Sequence, residues 1–234
     1  FFNDFEIQAN RDAYLNRTDF EVTNKKDGSL IIVANYQGQS IVSSSGSFNS
    51  PQAEKARELL NTLYKDCPIE DGKTYIFELI YPENRIVIDY GNWTCMFLLG
   101  VRDTDTGYEY PRDDFAFPHK VYPLQKTLAE VIEEQRQETF VNQEGYVVKF
   151  SDGHRIKFKF DEYLRLHKIL SGVNEKWVWE ILSQDKSLKE SLEFVPDELF
   201  TWAETYAEQL NSDYNTFIHR VHASFDDVKK GWDG

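Results

Sequence analysis

Six side chains in this sequence could share one piece of chemistry: Lys25, Asp27, Glu78, Glu144, Lys157 and Lys159. The stretch Thr23 to Val33 reads TNKKDGSLIIV, a lysine pair, an acid, a glycine and a serine ahead of an apolar run. A solvent-facing hairpin turn would use such residues for solubility, but a nucleophilic lysine needs nearly the same set. An ordinary lysine, with a pKa near ~10.4, is almost wholly protonated at neutral pH and cannot attack. Burial or a nearby cation lowers that value. Downstream, Glu78 interrupts the apolar run FELI, where an unpaired carboxylate is costly. Glu144 opens EGYVV, and Lys157 and Lys159 alternate with apolar residues in IKFKF. Period-two spacing puts both lysines on one face of a strand, which a solvent face would also produce. Gly28 lets the chain turn tightly and approach a phosphate closely.

These residues need strands to carry them. DFEVTN, SLIIVANYQG and QSIVSSSGSF read as strands broken at KDG and QG. SPQAEKARELLNTLYKD predicts a helix with Ser50 as N-cap and Pro51 at its first position, ending at Cys67-Pro68. KTYIFELIYP and NRIVIDY predict a hairpin, TCMFLLGVRD a buried strand with a turn at DTDTGYEY, and TLAEVIEEQRQ a second helix. EGYVVKF and HRIKFKF predict another hairpin around SDG. From Asp161 the texture changes: EYLRLHKILSG, EKWVWEILSQ, LKESLEFV and the stretch from PDELF to VKK all carry helical periodicity, with amphipathic faces expected to pack on each other. The domain reading is 1–160 and then a helical domain over 161–234.

Composition sets the outer limits. The 234 residues are 41% hydrophobic and 15% aromatic, enough for a substantial core. No long charge-free apolar run suggests a membrane span. Lys and Arg number 26 against 40 Asp and Glu, giving −14; this lowers the expectation of a nucleic-acid partner, yet a basic groove can sit on an acidic body. Cys67 and Cys95 form no CxxC pair and the five histidines no zinc pattern, so both thiols read as free, in a reducing, cytoplasmic setting such as a bacterial or phage-infected cell. The opening FFNDFEIQANRD, without an initiator Met, reads as the continuation of a longer protein.

In their order along the chain these segments resemble the motifs of the nucleotidyltransferase superfamily of ATP-dependent ligases and capping enzymes. Lys25–Gly28 resembles motif I, Phe77–Ile80 motif III, Glu144–Val148 motif IV and Lys157–Lys159 motif V. FFNxxE, KxDGSL, SxGSFxSxQA at Ser44–Ala53, EGYVVKF and YLRLHK are similar to the phage-type RNA ligase 1 family. The resemblance implies an α+β, ATP-grasp-like nucleotidyltransferase fold with antiparallel sheets, followed by a small all-helical domain that helps choose the RNA. It implies an ATP-dependent RNA ligase joining 5′-phosphate and 3′-hydroxyl RNA ends, cleaved tRNA among them, through a lysyl–AMP intermediate. Lys25 becomes the nucleophile, because one residue separates it from Asp-Gly; Lys26 would turn to the opposite face if the segment is extended. Lys157 and Lys159 would face the α-phosphate, Glu78 the ribose, Gly28 the phosphates, and Asp27 and Glu144 a Mg²⁺ or Mn²⁺ ion.

Two departures stand out: family members carry an arginine ahead of FFN, and a basic residue often stands where this chain has Ser45. Tyr146, Trp93 and Phe97 could stack on adenine but read first as core, and His154 reads as an exposed turn residue. Two other functions fit the residues: an adenylylating relative acting on nicked duplex or DNA, or a catalytically silent nucleotide- or RNA-binding or protein-interaction module.

Overall fold

The computed structural model describes residues 2–3, 11–137, 142–184, 186–192 and 197–232; most of FFNDFEIQAN and the end of SLEFVP lie outside the described residues. The first elements are β1 (Phe2–Asn3), α1 (Arg11–Leu15), β2 (Phe20–Lys25), β3 (Ser29–Tyr36), β4 (Gln39–Ser44) and α2 (Pro51–Asn61). Then come β5 (Lys73–Ile80), β6 (Cys95–Asp103), β7 (Glu109–Tyr110), β8 (Pro123–Leu124), α3 (Leu128–Gln135), β9 (Gly145–Phe150) and β10 (Arg155–Lys159). Four helices close the chain: α4 (Asp161–Ser171), α5 (Glu175–Ser183), α6 (Leu188–Ser191) and α7 (Asp197–Trp232). The chain divides into two compact units, Phe1–Tyr163 and Leu164–Gly234.

The first unit holds two five-stranded sheets. One runs β1-β10-β9-β2-β8, the other β4-β3-β5-β6-β7. All ladders are antiparallel except β1 on β10, which is parallel. The link between β2 and β3 therefore changes sheets: Lys26-Asp27-Gly28 is a crossover and not the hairpin turn that KDG suggests. The hairpin lies one strand later, at Gln37-Gly38, where both residues have positive φ (52° and 77°), the backbone that favours a two-residue turn.

One face of the second sheet packs Ile31, Val33, Tyr75, Phe77, Leu79, Met96 and Leu98 with Ala56 and Leu59 of α2 into a continuous core. The α2 cap forms as its sequence predicts, with Ser50 Oγ accepting from Ala53 N at 3.1 Å and Pro51 in the first turn. The helix ends six residues early, at Asn61 rather than at Cys67-Pro68. Tyr64 N donates to Leu59 O, and the ring swings into the core, its hydroxyl donating to Met96 O at 3.1 Å. α3 carries a full capping box between Thr127 and Glu130.

NRIVIDY forms no strand. Val87 N and Ile88 N donate to the Asp27 carboxylate instead of to a ladder, so the segment is pinned as a loop. In the second unit Val173, Val178, Leu192, Ala203 and Ala207 form a helical core. The expected mutual packing holds for the first part of α7, but Tyr214, Phe217, Val221, Phe225 and Val228 are exposed. Both cysteines are free, and among the described residues no helix is long and apolar enough to cross a membrane.

Candidate active site

Register assembles the site. Lys25 of β2 and Lys159 of β10 both pair with Gly145 of β9, and Thr23 and Lys157 both pair with Val147. Alternation then puts Lys25, Lys157 and Lys159 on one face of the first sheet. Asn3 of β1 pairs with Lys157 and joins that row. Lys157 and Lys159 are 8% and 7% exposed, so theirs is not a solvent face. Glycine is required between the lysine strands: a Cβ on Gly145 would stand 1.9 Å from Phe158 O.

Glu144, just ahead of β9, meets Lys25 with Nζ to Oε1 at 2.6 Å. Its other oxygen, Oε2, is buried with no hydrogen-bond partner among the described residues. Glu78 reaches across from β5, where its Oε1 accepts from Gly28 N at 3.0 Å. Gly28 has a reason other than a tight turn: a Cβ there would lie 2.3 Å from Leu79 O, so only glycine lets the crossover pass this close to β5.

Three carboxylates thus surround one amine. Burial alone would lower the Lys25 pKa, but Glu144, Glu78 and Asp27 together outweigh it and hold the amine above its ordinary value. Burial also raises Glu144, against the pull of Lys25. Burial pushes Glu78 up to about 8, so near neutral pH this carboxyl is largely protonated. In this state the proton stays on Lys25, which is an ammonium ion paired to Glu144.

Asp27, next to Lys26 in the crossover, is tied to a distant loop. Its Oδ2 accepts from Val87 N (2.9 Å) and Ile88 N (2.8 Å), and its Oδ1 from Tyr163 Oη (2.9 Å). Asp27 N donates to Tyr90 Oη at 2.9 Å. The carboxylate is buried and accepts three hydrogen bonds, which makes it a clamp on the 85–90 loop. Glu144 keeps an open oxygen. Among the described residues no group of three His, Cys, Asp or Glu is arranged to hold an ion.

A cleft of about 490 Å³ lies between the two sheets of this unit, with Lys25, Lys26, Gly28, Glu78 and Val147 in its wall. Asp27, Glu144, Lys157 and Lys159 are buried and do not line it. Lys26 does not turn away as alternation suggests, because β2 ends at Lys25 and the chain is already crossing over. Its Nζ stands 4.6 Å from the Phe97 ring centroid and 5.9 Å from that of Tyr90. Burial lowers its pKa. Charge state alone would therefore favour Lys26 as nucleophile; register and the Glu144 contact favour Lys25.

The other end of the cleft, four residues along β2, holds a cluster of ion pairs. Glu109 pairs with Arg155, with Lys149 at 2.6 Å and with Arg102 at 3.7 Å, while Arg112 pairs with Glu21 at 2.8 Å. No sequence pattern marks this cluster, because its six members come from six separate segments. Tyr90 and Tyr163 were equally illegible, Tyr163 standing 136 positions from Asp27. Gly145 could have been found: a glycine opening an apolar strand signals close backbone approach.

Tyr146 and Phe97 are core residues as expected, Tyr146 donating to Glu134 at 2.6 Å. Trp93 is not, at 55% exposed. His154 is partly buried, stacked between Phe2 and Tyr14.

Comparison with known proteins gives this geometry a family. The family described as RNA ligase, of the phage T4 type, matches residues 1–164. A Thermovibrio ammonificans protein whose name assigns it to the RNA ligases is 31% identical over 185 residues, covering 71% of this chain and 47% of that protein. A protein of Autographa californica nuclear polyhedrosis virus, named as a bifunctional polynucleotide kinase/RNA ligase, is 26% identical, covering 72% of this chain and 28% of its own length. The chain spans less than half the length of both relatives. Among solved structures, the apo form of a Naegleria gruberi RNA ligase mutant superposes with a TM-score of 0.51 at 16% identity, over 72% of this chain and 56% of that one, a likeness of fold. With two sheets enclosing a lysine-bearing cleft and a match over more than two-thirds of its length, the chain belongs to the phage-type RNA ligase family.

Proposed function

We propose that this chain carries the adenylylation core of an ATP-dependent RNA ligase, with residues 1–160 as the adenylyltransferase domain and 161–234 as a helical domain that helps select RNA. The observation that carries the reading is Lys25, held at 2.6 Å from Glu144 and in register with Lys159 through Gly145. The three relevant cations come from two strands onto one face, and two carboxylates close the other side.

In this reading the Lys25 amine attacks the α-phosphorus of ATP. An N–P bond forms, the bond to the bridging oxygen breaks, and pyrophosphate leaves. A 5′-phosphate oxygen of RNA then attacks the same phosphorus and releases Lys25. A 3′-hydroxyl finally attacks the RNA 5′-phosphorus and AMP departs. Lys157 and Lys159 stabilise charge that builds on the α-phosphate. Glu78 is placed to accept from a ribose hydroxyl, and Gly28 N–H fixes its orientation.

The residues fit a Mg²⁺ or Mn²⁺ ion that keeps most of its water and binds chiefly through the nucleotide, because Glu144 Oε2 is the open buried acceptor. When bound, such an ion would neutralise the carboxylates that keep Lys25 protonated. Glu144 Oε1, at 2.6 Å, is the nearest acceptor for the Lys25 proton. RNA with 5′-phosphate and 3′-hydroxyl ends, such as cleaved tRNA in RNA repair, is the substrate class this chemistry serves.

The test is incubation with ATP labelled at the α-phosphate plus Mg²⁺, followed by denaturation. The proposal expects label on the chain and none on Lys25→Ala. An unlabelled wild-type protein would leave a silent nucleotide- or RNA-binding module as the better description.

A further inference from the structure

Two residues meet on the ring of Phe97: Lys26, which lines the cleft, and Trp93, which borders a second hollow. Trp93 stacks on Phe97 with ring centroids 6.1 Å apart and planes 18° from parallel. Phe97 is buried and rests edge-on against His119, so it is a fixed backing. Trp93 borders a hollow of about 160 Å³ with Tyr81, Arg85, Tyr90 and Asp27. That hollow is held by the same Asp27 that binds Val87 N, Ile88 N and, through its own N–H, Tyr90 Oη.

Single exposed aromatics are ordinary, and Tyr36, Phe48, Tyr108 and Tyr122 are of that kind. Trp93 differs in three ways. It is seated on a buried ring, it edges a hollow, and a cation stands over the same ring, Lys26 Nζ being 4.6 Å from the Phe97 centroid. Lys26 makes no salt bridge among the described residues, although the chain is strongly acidic. It also follows Lys25 directly and shares the cleft wall with it.

A half-open indole and a cation that share one backing ring, the cation without a salt bridge among the described residues, suit one ligand chemistry, an unstacked nucleobase with its phosphate. Single-stranded nucleic acid is held in this way, by bases stacked on aromatic rings and cations along the backbone. We propose that Trp93 and Lys26 form the docking place of a 5′-phosphorylated end of single-stranded RNA. The terminal base stacks on the open face of Trp93, and the 5′-phosphate is drawn toward Lys26. This rests on the ligase reading above and deepens it: the phosphate that must take AMP is brought next to the residue that carries AMP.

The test measures binding of a 5′-phosphorylated single-stranded oligoribonucleotide, dye-labelled at its 3′ end, by fluorescence anisotropy. Trp93→Ala is expected to raise Kd about tenfold or more, and Trp93→Tyr to restore it to within about threefold. Removing the first base from the RNA should weaken the wild-type protein equally and Trp93→Ala no further. Lys26→Met should weaken binding of 5′-phosphate RNA and leave 5′-hydroxyl RNA unchanged. An unchanged Kd in Trp93→Ala, or equal losses for intact and base-deleted RNA, would overturn the proposal.

Labelling of the chain by ATP involves no RNA and separates the two readings. Wild-type labelling with Trp93-independent RNA binding defeats the docking site alone. Trp93-dependent binding without labelling keeps the docking site and defeats the ligase. Loss of labelling in Trp93→Ala, with Trp93→Tyr also unlabelled, would move Trp93 into the nucleotide site and overturn the inference.

Discussion

The two ends of the cleft differ in how fully their polar groups are matched. At one end Lys25 pairs with Glu144, with Glu78 and Asp27 close by and Lys157 and Lys159 on the same sheet face. At the other Glu109 is shared by Arg102, Lys149 and Arg155, and Arg112 pairs with Glu21. The far end is satisfied within itself, with both Glu109 oxygens paired. The near end is not, since Glu144 Oε2 is buried without a partner among the described residues and Glu78 is pushed up to about 8. Unmatched charge in a buried site is costly unless something binds there. The near end is therefore where a ligand is expected, and the far end is a brace joining β6, β7, β9 and β10.

The sharpest break in that contrast is removal of the ammonium. Lys25→Ala should lower chain labelling by ATP by about 10³-fold or more. Lys26→Ala, its neighbour in the same wall, should lower it by less than about tenfold. Next in size is Glu78. Its folded pKa of about 8 lies above its unfolded value of ~4.5, so the protonated form is the one that folding favours. Stability from this carboxyl falls as pH rises from ~4.5 to ~8. Glu78→Gln should therefore be more stable than wild type at pH 8, by a few kcal/mol, about 2–4, with the gap closing below pH ~4.5; urea melts at both pH values read it.

The far end behaves in the opposite sense. Burial would raise Glu109, but Lys149 and Arg155 outweigh it and hold the carboxylate below its ordinary range. Its stabilisation is then present above the unfolded pKa of ~4.3 and lost as pH falls through the lower folded value. Glu109→Gln should cost about 1–3 kcal/mol at pH 7 in a denaturant melt, and the difference should shrink on acidification below pH ~4.3. The smallest effect belongs to the clamp. Tyr163→Phe removes one of three donors to Asp27 and should lower stability by about 1 kcal/mol, with chain labelling kept within a few-fold.

What the sequence made legible follows from the range of each interaction. The Ser50 cap and the β9–β10 hairpin depend on neighbours within a few positions, and both form where the pattern puts them. The placement of Lys157 and Lys159 on one face rests only on period two. The crossover at Lys26-Asp27-Gly28 was hidden, because KDG carries hairpin chemistry and only the partner strands reveal a change of sheet. NRIVIDY has strand composition, yet a carboxylate 60 positions away takes its N–H groups. The same long-range contact ties Asp27 to the 85–90 loop, a partnership that no local pattern announces. Glu109 and its cations belong to separate segments, so no local pattern could have joined them.

The central claim is that Lys25, and not the lower-pKa Lys26 beside it, is the nucleophile. Both lie in one short stretch, so the direct measurement is peptide mapping by mass spectrometry after incubation with ATP and Mg²⁺, with fragmentation that resolves adjacent lysines. The account predicts a single AMP adduct on Lys25. An adduct on Lys26, or none on the Thr23–Gly28 segment, would contradict it.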